Sequence, residues 1–525
     1  MLRSISEVIQ EFLYEPTFNL SQIPDFPWED YLNQRRAYFE AERWFDGKMW
    51  EETIQTEKSA GEKYDLYPTR INPLNNTIQK HAYMLMGETE PSDKPLVVTK
   101  IVAAQEQLEA AQHAEDLINT VYWQSGGRAV QIRNALLSQI YGGCIFKLTY
   151  LPWETERIWP FAIETILPKE FIGYPQGGDP YRLNEAWVFK QIHPRLAKDY
   201  GFVEASPRTA VWYTEHWTRD LCEICVNGQP VQVRINKEMT ELPTENPFGF
   251  VPLVYIPHIR VSRFYGENVI DNLKGLINEL NRVFGDFEDA VNDDSHPIRT
   301  VANTNGQIRM ERISPFLEVV QLGSNQDLSG NGPEPNMKEI HTPSANGAMD
   351  QLLDQLWEQY SRDSFVPEVA NGTGEASQRS GTAMGTRFWP LLAHAGIERF
   401  FWTPGLDLIA NYLLRMFDTK KIGGLDPNVL KLRTKQMWAP MLPKDRESFV
   451  NELVNRSTTD LGSIDHLLEM TGDVDNIEEE KGRMLDWKRE LAQIQLEISA
   501  EQEKQRAALM AKQGAQKDQK NKTEK

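Results

Sequence analysis

The chain has 525 residues, 40% of them hydrophobic and 25% charged, with a formal net charge of −20, enough for roughly two to four domains with large cores. That acid excess excludes a protein gripping nucleic acid through a broad basic surface, since phosphate neutralisation needs clustered Lys and Arg; it leaves room for one past which DNA slides without sticking. Cys144, Cys222 and Cys225 are too few, and odd in number, for a disulfide framework and point to a reducing compartment.

No apolar run approaches the roughly 18 residues that span a bilayer, and the N-terminus has no signal-peptide pattern. Residues 4–13 are amphipathic and acidic, which disfavours an anionic membrane surface. Residues 1–60 read as helices broken near Pro16, Pro24 and Pro27, with aromatics and both charge signs over 28–50. Ile78, His81, Ala82 and Leu85 share one side of a short helix over 75–86, and a long helical stretch is expected from Thr99 to about Trp123. After Gly126-Gly127 a helix spans 129–140, Gly142-Gly143 stop it, and 144–150 alternates like a strand. The chain then reads as β-rich to Ile259, with strands at 186–192, 209–219 and 221–226, an Asn227-Gly228 hairpin turn, and strands at 231–235 and 251–256.

The chain is organised around residues 264–362. Val269, Ile270, Leu273, Leu276, Ile277, Leu280, Val283, Phe284, Phe287 and Val291 recur at three and four, one stripe of a helix roughly 40 Å long. Its other face carries Glu267, Asp271, Glu279, Asp286, Glu288 and Asp289 against Lys274 and Arg282. A second helix starts near Ser344 and shows Met349, Leu352, Leu353, Leu356, Trp357 and Tyr360 at the same spacing. Pro297, Pro315, Pro333, Pro335 and Pro343 forbid a continuous helix between the two, and alternating runs at 298–301 and 316–320 predict strands. A stalk with a small β-rich knob suits an assembly interface better than a pocket.

Pro367, Asn371-Gly372, Gly374 and Gly381 make 361–381 a loop of about twenty residues, a length that is usually functional. The helical stretch running on to Phe417 is expected to be interrupted at Pro390 and Pro404, and so kinked rather than straight. Gly423-Gly424 close it, and 429–438 returns as a strand. The last segment reads as helices at 444–455, 461–469 and from Asp473 past residue 500. Met484, Trp487, Leu491, Ile494 and Ile498 give the third a coiled-coil-like seam, before a lysine-rich, solvated tail.

Catalytic signatures are absent. Cys222-x-x-Cys225 has no second cysteine pair, and its odd separation in a strand puts the thiols on opposite faces, so its role is structural. Asp293, Asp294 and His296 are a metal-ligand set or simply the end of an acidic helix, and no third-partner spacing supports the metal. Gly372-x-Gly374 has Ser377 where a dinucleotide loop needs glycine, and there is no phosphate-cradling loop, H-E-x-x-H or G-x-S-x-G. The expectation is no enzyme, no cofactor and no metal.

Four stretches carry a resemblance: Asn246-Pro-Phe-Gly-Phe-Val-Pro-Leu-Val254, Tyr265-Gly-Glu-Asn-Val-Ile-Asp271, Leu276-Ile-Asn-Glu-Leu-Asn281 and Gly374-Glu-Ala-Ser-Gln-Arg-Ser-Gly-Thr-Ala-Met384. With the order of elements, they resemble tailed-bacteriophage portal proteins over nearly the whole chain. The resemblance implies an α+β, mainly helical fold: an α/β wing over 1–262, helical at first and β-rich over 144–260; stem helices at 263–292 and 344–361; and a small β-containing clip over 293–343. It further implies a tunnel loop over 362–380, a long kinked helix with a returning wing strand over 381–440, and an all-helical crown over 441–525. Arg362, Asn371, Gly372, Gly374 and Arg379 would then belong to the tunnel loop and DNA channel. Leu273, Leu276, Leu280, Phe284, Leu352 and Leu356 would pack the stem, and Asp271, Glu279, Asp286 and Glu288 would make a channel wall acidic.

The same resemblance implies a homo-oligomeric ring, usually a dodecamer, at the portal vertex of the virion capsid, assembled in the host cytoplasm. Double-stranded DNA would pass through it without sequence-specific binding. Terminase, neck or tail adaptors and major capsid protein would be its partners, with no membrane. The rival readings are a metal-dependent DNA-processing enzyme built on Asp293, Asp294 and His296, and a neck or capsid ring adaptor without a DNA channel.

Overall fold

The computed structural model describes residues 26–50, 70–87, 96–152, 154–193, 211–235, 238–241, 245–261, 264–295, 298–304, 309–314, 317–323, 336–340, 346–371, 386–441, 446–459, 480–495 and a few positions between 467 and 505. The fold is mixed α+β and mainly helical, and it divides into two compact units, Met1–Pro443 and Lys444–Lys525.

Pro27 precedes the first helix, α1 (Trp28–Phe45), whose first turn holds Glu29 and Asp30 and whose last holds Arg43, the charge order a helix dipole favours. Its buried side chains are Tyr31, Tyr38, Ala41 and Trp44. In α2 (Leu74–Met86) the buried positions Leu74, Thr77, Ile78, His81, Ala82, Leu85 and Met86 repeat at three and four, and Gly87 ends the helix at a φ of 87°. Next comes β1 (Val97–Val102), where the sequence predicts a helix from Thr99. Val97, Val98, Thr99, Ile101 and Val102 are all β-branched, which favours a pleated, half-buried strand. The predicted helix begins only at α3 (Leu108–Gln124), and α4 (Arg128–Tyr141) follows.

The β-rich part is denser than the sequence suggests. It comprises β2 (Gly143–Tyr150), β3 (Phe161–Ile166), β4 (Phe171–Gln176), β5 (Asp179–Ile192), β6 (Val211–Thr218), β7 (Cys222–Val226), β8 (Gln229–Pro230), β9 (Gln232–Ile235), β10 (Glu238–Glu241) and β11 (Leu253–Pro257). Strands β11-β2-β3 form one sheet, β4-β5-β6-β7-β8 a second, and β9 pairs with β10. Asn227 and Gly228 turn between β7 and β8 with φ of 50° and 78°, the positive pair a two-residue hairpin requires.

After β11 the chain enters α5 (Val269–Ser295), 27 residues long. Four strands, twice the number expected, separate it from its partner helix: β12 (Ile298–Thr304), β13 (Arg309–Ser314), β14 (Leu317–Gly323) and β15 (Asn336–Ile340). They form one sheet in the order β13-β14-β12-β15. Then α6 (Asn346–Asp363) returns and packs on α5.

The longest helix among the described residues, α7 (Trp389–Lys420), runs through both prolines as one element. Pro390 lies in its first turn, where a missing N–H costs no helical bond. Pro404 lies inside, and just before it Thr403 Oγ1 donates to the Arg399 carbonyl at 2.7 Å. Trp402, Ile409, Leu413 and Phe417 of α7 bury into a core shared with α3 and the β11-β2-β3 sheet. There Phe161 meets Phe417 with ring centroids 4.5 Å apart. At Gly405 the helix lies against β11 so closely that a Cβ would fall 2.5 Å from Ile256 Cγ1. A 3₁₀ turn at Pro427–Lys431 shortens the expected returning strand to β16 (Arg433–Trp438). That strand pairs antiparallel with β1 in a register running from Val97 with Trp438 to Val102 with Arg433, closing the unit.

The second unit contains α8 (Arg446–Thr458) and helical residues 480–495. Along the expected seam Met484 and Leu491 are half-buried, whereas Trp487, Ile494 and Ile498 are exposed. The helix expected over 461–469, apart from residue 467, and the lysine-rich tail lie outside the described residues.

Candidate assembly surfaces and a buried junction of helices

The apolar stripe of α5 is occupied by its own subunit along its first half. Val269, Ile270, Leu273, Ile277 and Leu280 bury against Tyr38, Ala41 and Trp44 of α1, Leu74 and Ile78 of α2, Ile140 and Tyr141 of α4 and Tyr360 of α6. Leu276 and Leu356 are partly buried on the same cluster. Phe284 is half-buried and Leu352 is 41% exposed, so these leave apolar surface open. The first half of the stripe therefore forms the core of its own subunit.

An exposed apolar face lies on α7, where Trp389, Ile397 and Phe400 are 67%, 47% and 78% exposed. Steps of eight and three residues bring these side chains onto one side of the helix.

The acidic face of α5 is laced with its own cations. Lys274 Nζ reaches Asp271 at 3.0 Å and Glu40 of α1 at 3.2 Å. Arg282 forks between Glu279 at 2.6 Å and Asp286 at 2.8 Å. The hydrogen bond from Arg282 holds the Glu279 carboxyl below its ordinary range. Glu288 is half-buried near the far end. At the helix terminus, the side chains of Asp293 and Asp294 and the whole of His296 lie outside the described residues.

Of the residues expected in the tunnel loop, Arg362 sits in the last turn of α6 and pairs with Glu358 at 2.5 Å. Asn371 ends a short 3₁₀ turn at Glu368–Asn371, where its Oδ1 accepts from Lys80 Nζ and, at 3.4 Å, from Asn76 Nδ2, both on α2. Gly372, Gly374 and Arg379 lie outside the described residues. Cys222 and Cys225 are half-buried on β7, three positions apart and so on opposite faces; burial raises both thiols, Cys222 to about 12.

The quoted motifs do structural work at the entrance to α5. Gly142 ends α4 at a φ of 79° and presses against Gly266, so a Cβ on either would strike the other's carbonyl. The Gly142 carbonyl accepts from the His258 N–H at 2.9 Å and from the Tyr255 hydroxyl at 3.1 Å, and that hydroxyl accepts from the Gly266 N–H at 2.9 Å. Asn281 clasps the backbone of Ile71, accepting from its N–H at 2.8 Å and donating to its carbonyl at 3.0 Å. Asn246 donates to the carbonyls of Thr218 and Phe250, both at 2.8 Å.

Beside this entrance lies a buried polar junction. Glu398 of α7 is fully buried; its Oε2 accepts from Gln139 Nε2 of α4 at 2.7 Å. Its Oε1 lies 2.9 Å from His394 Nε2 and 3.1 Å from His258 Nε2. His258 Nδ1 contacts the Glu267 carbonyl at 2.8 Å, just before α5, and His81 Nε2 contacts the Ser364 carbonyl at 2.7 Å, just after α6. Burial alone would raise the Glu398 carboxyl, but the charge of His258 outweighs it and holds the group well below the carboxylate range. Burial likewise opposes charge on His258, but Glu398 overcomes it and raises the imidazole. Burial, helped by His394, lowers His81 to about 4. Sequence reasoning misses this group because its members come from four separate regions; His394 and Glu398, one helical turn apart, are the local signal.

A family model described as phage portal protein, SPP1 Gp6-like, matches residues 206–504. The match takes in β6 to β11, α5, the four-stranded head, α6, α7 and α8. No curated protein matches the chain.

Proposed function

We propose, from the premise that this chain belongs to the SPP1 Gp6-like family of phage portal proteins, that copies of it form the ring at the capsid vertex through which the genome is packaged and ejected. On this reading α5 and α6 are the stem, and the β13-β14-β12-β15 sheet is the clip that meets terminase and then neck or tail proteins. Residues 362–380 are the tunnel loop, and the second unit is the crown. The observation that carries the reading is the family match over more than half of the chain, spanning the helix–sheet–helix layout.

Closed cyclic symmetry repeats one heterologous contact around a ring. The exposed Trp389, Ile397 and Phe400 supply an apolar surface suited to such a contact. Duplex DNA carries one negative charge per about 1.7 Å of axis, so carboxylates on a channel wall repel it within roughly 8 Å at physiological salt. The cations threaded through the α5 face moderate that repulsion, which favours sliding over both sticking and exclusion.

Native mass measurement with negative-stain imaging of the purified full-length chain tests the assembly. Closed rings with a central hole, expected as dodecamers, support the reading. A stable monomer or dimer at micromolar concentration overturns it.

A further inference from the structure

The junction around Glu398 holds more buried donor atoms than its hydrogen bonds complete. A carbonyl oxygen only accepts, so the contact with Ser364 fixes a proton on His81 Nε2 and leaves the neutral ring's lone pair on Nδ1. His81 Nδ1, His258 Nε2, His394 Nε2 and Glu398 Oε1 are all buried without hydrogen-bond geometry to any partner. One donor atom from each of His81, His394 and Glu398 lies within 4.8 Å of the other two.

We propose that His81, His394 and Glu398 bind one divalent cation of the zinc type, tying α2 to α7 beside the roots of both stem helices. Two imidazoles and one carboxylate suit a borderline transition metal, whereas magnesium and calcium take oxygen ligands. The outer N–H of His81 on a backbone carbonyl is the bond that orients a ligating histidine, and Gln139 orients the carboxylate in the same way. The Ser364 carbonyl links the cation to the exit of α6, and His258, between Glu398 and the Glu267 carbonyl, links it to the entrance of α5. This assignment concerns the folded subunit and stands whether or not the ring reading holds.

The test is cobalt and zinc titration of the full-length chain after chelator dialysis. Expected are one Co²⁺ per chain, the visible absorption of a low-symmetry imidazole–carboxylate site, displacement by Zn²⁺, and a higher Tm with Zn²⁺ than without. His81→Ala and His394→Ala should each abolish the band, and His113→Ala, on exposed α3 surface, should leave it intact. Circular dichroism verifies that each variant is folded. Wild-type protein that takes up no Co²⁺ overturns the proposal, a readout independent of any variant's folding. So does a band that survives in folded His81→Ala and His394→Ala, or one lost in His113→Ala, since the cation would then sit on a surface histidine.

Discussion

Lys147 of β2 meets Glu215 of β6 at 2.6 Å with both side chains buried, so this charge pair joins the three-stranded β11-β2-β3 sheet to the five-stranded one. The Tyr213 hydroxyl and the Trp217 ring N–H donate to the same carboxylate at 2.6 and 2.7 Å. Burial pushes Glu215 up, but Lys147 and these donors outweigh it and hold the carboxyl below its ordinary value. A depressed carboxyl contributes stability that is complete above its unfolded pKa of about 4.3 and is lost as pH falls through the lower folded value. The urea midpoint should therefore drop as pH falls below about 5 in wild type, and less steeply in a Lys147→Met, Glu215→Leu double variant. Removing one partner alone should cost about 3–5 kcal/mol, because the other charge stays buried, whereas the double variant should come close to wild type. Single-variant costs that simply add in the double variant would show that the pair is not coupled. Nothing local in the sequence marks this pair, and the Glu398 junction shows there only as His394 and Glu398 one helical turn apart. Lys147 and Glu215 sit in strands of alternating pattern, and the sheet packing that unites them depends on the whole fold.

Elements are legible where their periodicity is long and self-contained. The stripe of α5, the α2 helix and the Asn227-Gly228 hairpin follow from spacing and turn chemistry alone. By contrast, β1 reads as helix because its partner β16 lies at the far end of the unit, and a six-residue segment carries no record of what it pairs with. Pro404 reads as an interruption that kinks the helix, and α7 passes through it as one element with core packing on both sides. The role of the α5 stripe is likewise invisible in the sequence, since periodicity shows that a face is buried but not against which chain. Leu280→Asp should thus unfold the subunit, costing about 3–5 kcal/mol for an unpaired buried charge, rather than only preventing assembly. Phe400→Asp, on an exposed face, should change subunit stability by no more than about 0.5 kcal/mol while abolishing rings in negative stain. Rings from Phe400→Asp, or a fully stable Leu280→Asp subunit, would reverse the two assignments.

At the scale of the molecule, on the function proposed above, a net charge of −20 and the paired acids of the α5 face favour DNA passing the assembly over DNA binding to it. At about 0.15 M salt, assembled protein should hold a short duplex no more tightly than about 10⁻⁴ M, the weak end of non-specific binding. Fluorescence anisotropy across a salt series checks this, and tight binding with a steep salt slope would reverse the argument.

The pairing of β1 with β16 also has a consequence for synthesis. About 340 residues separate Val97 from Trp438, so at 5–20 residues per second a ribosome takes roughly 20–70 s to deliver the second strand after the first. Through that interval β1 has no strand partner, and for most of it the core still waits for α7. Its most vulnerable moment comes before it can meet any neighbour, while its final third is still unmade.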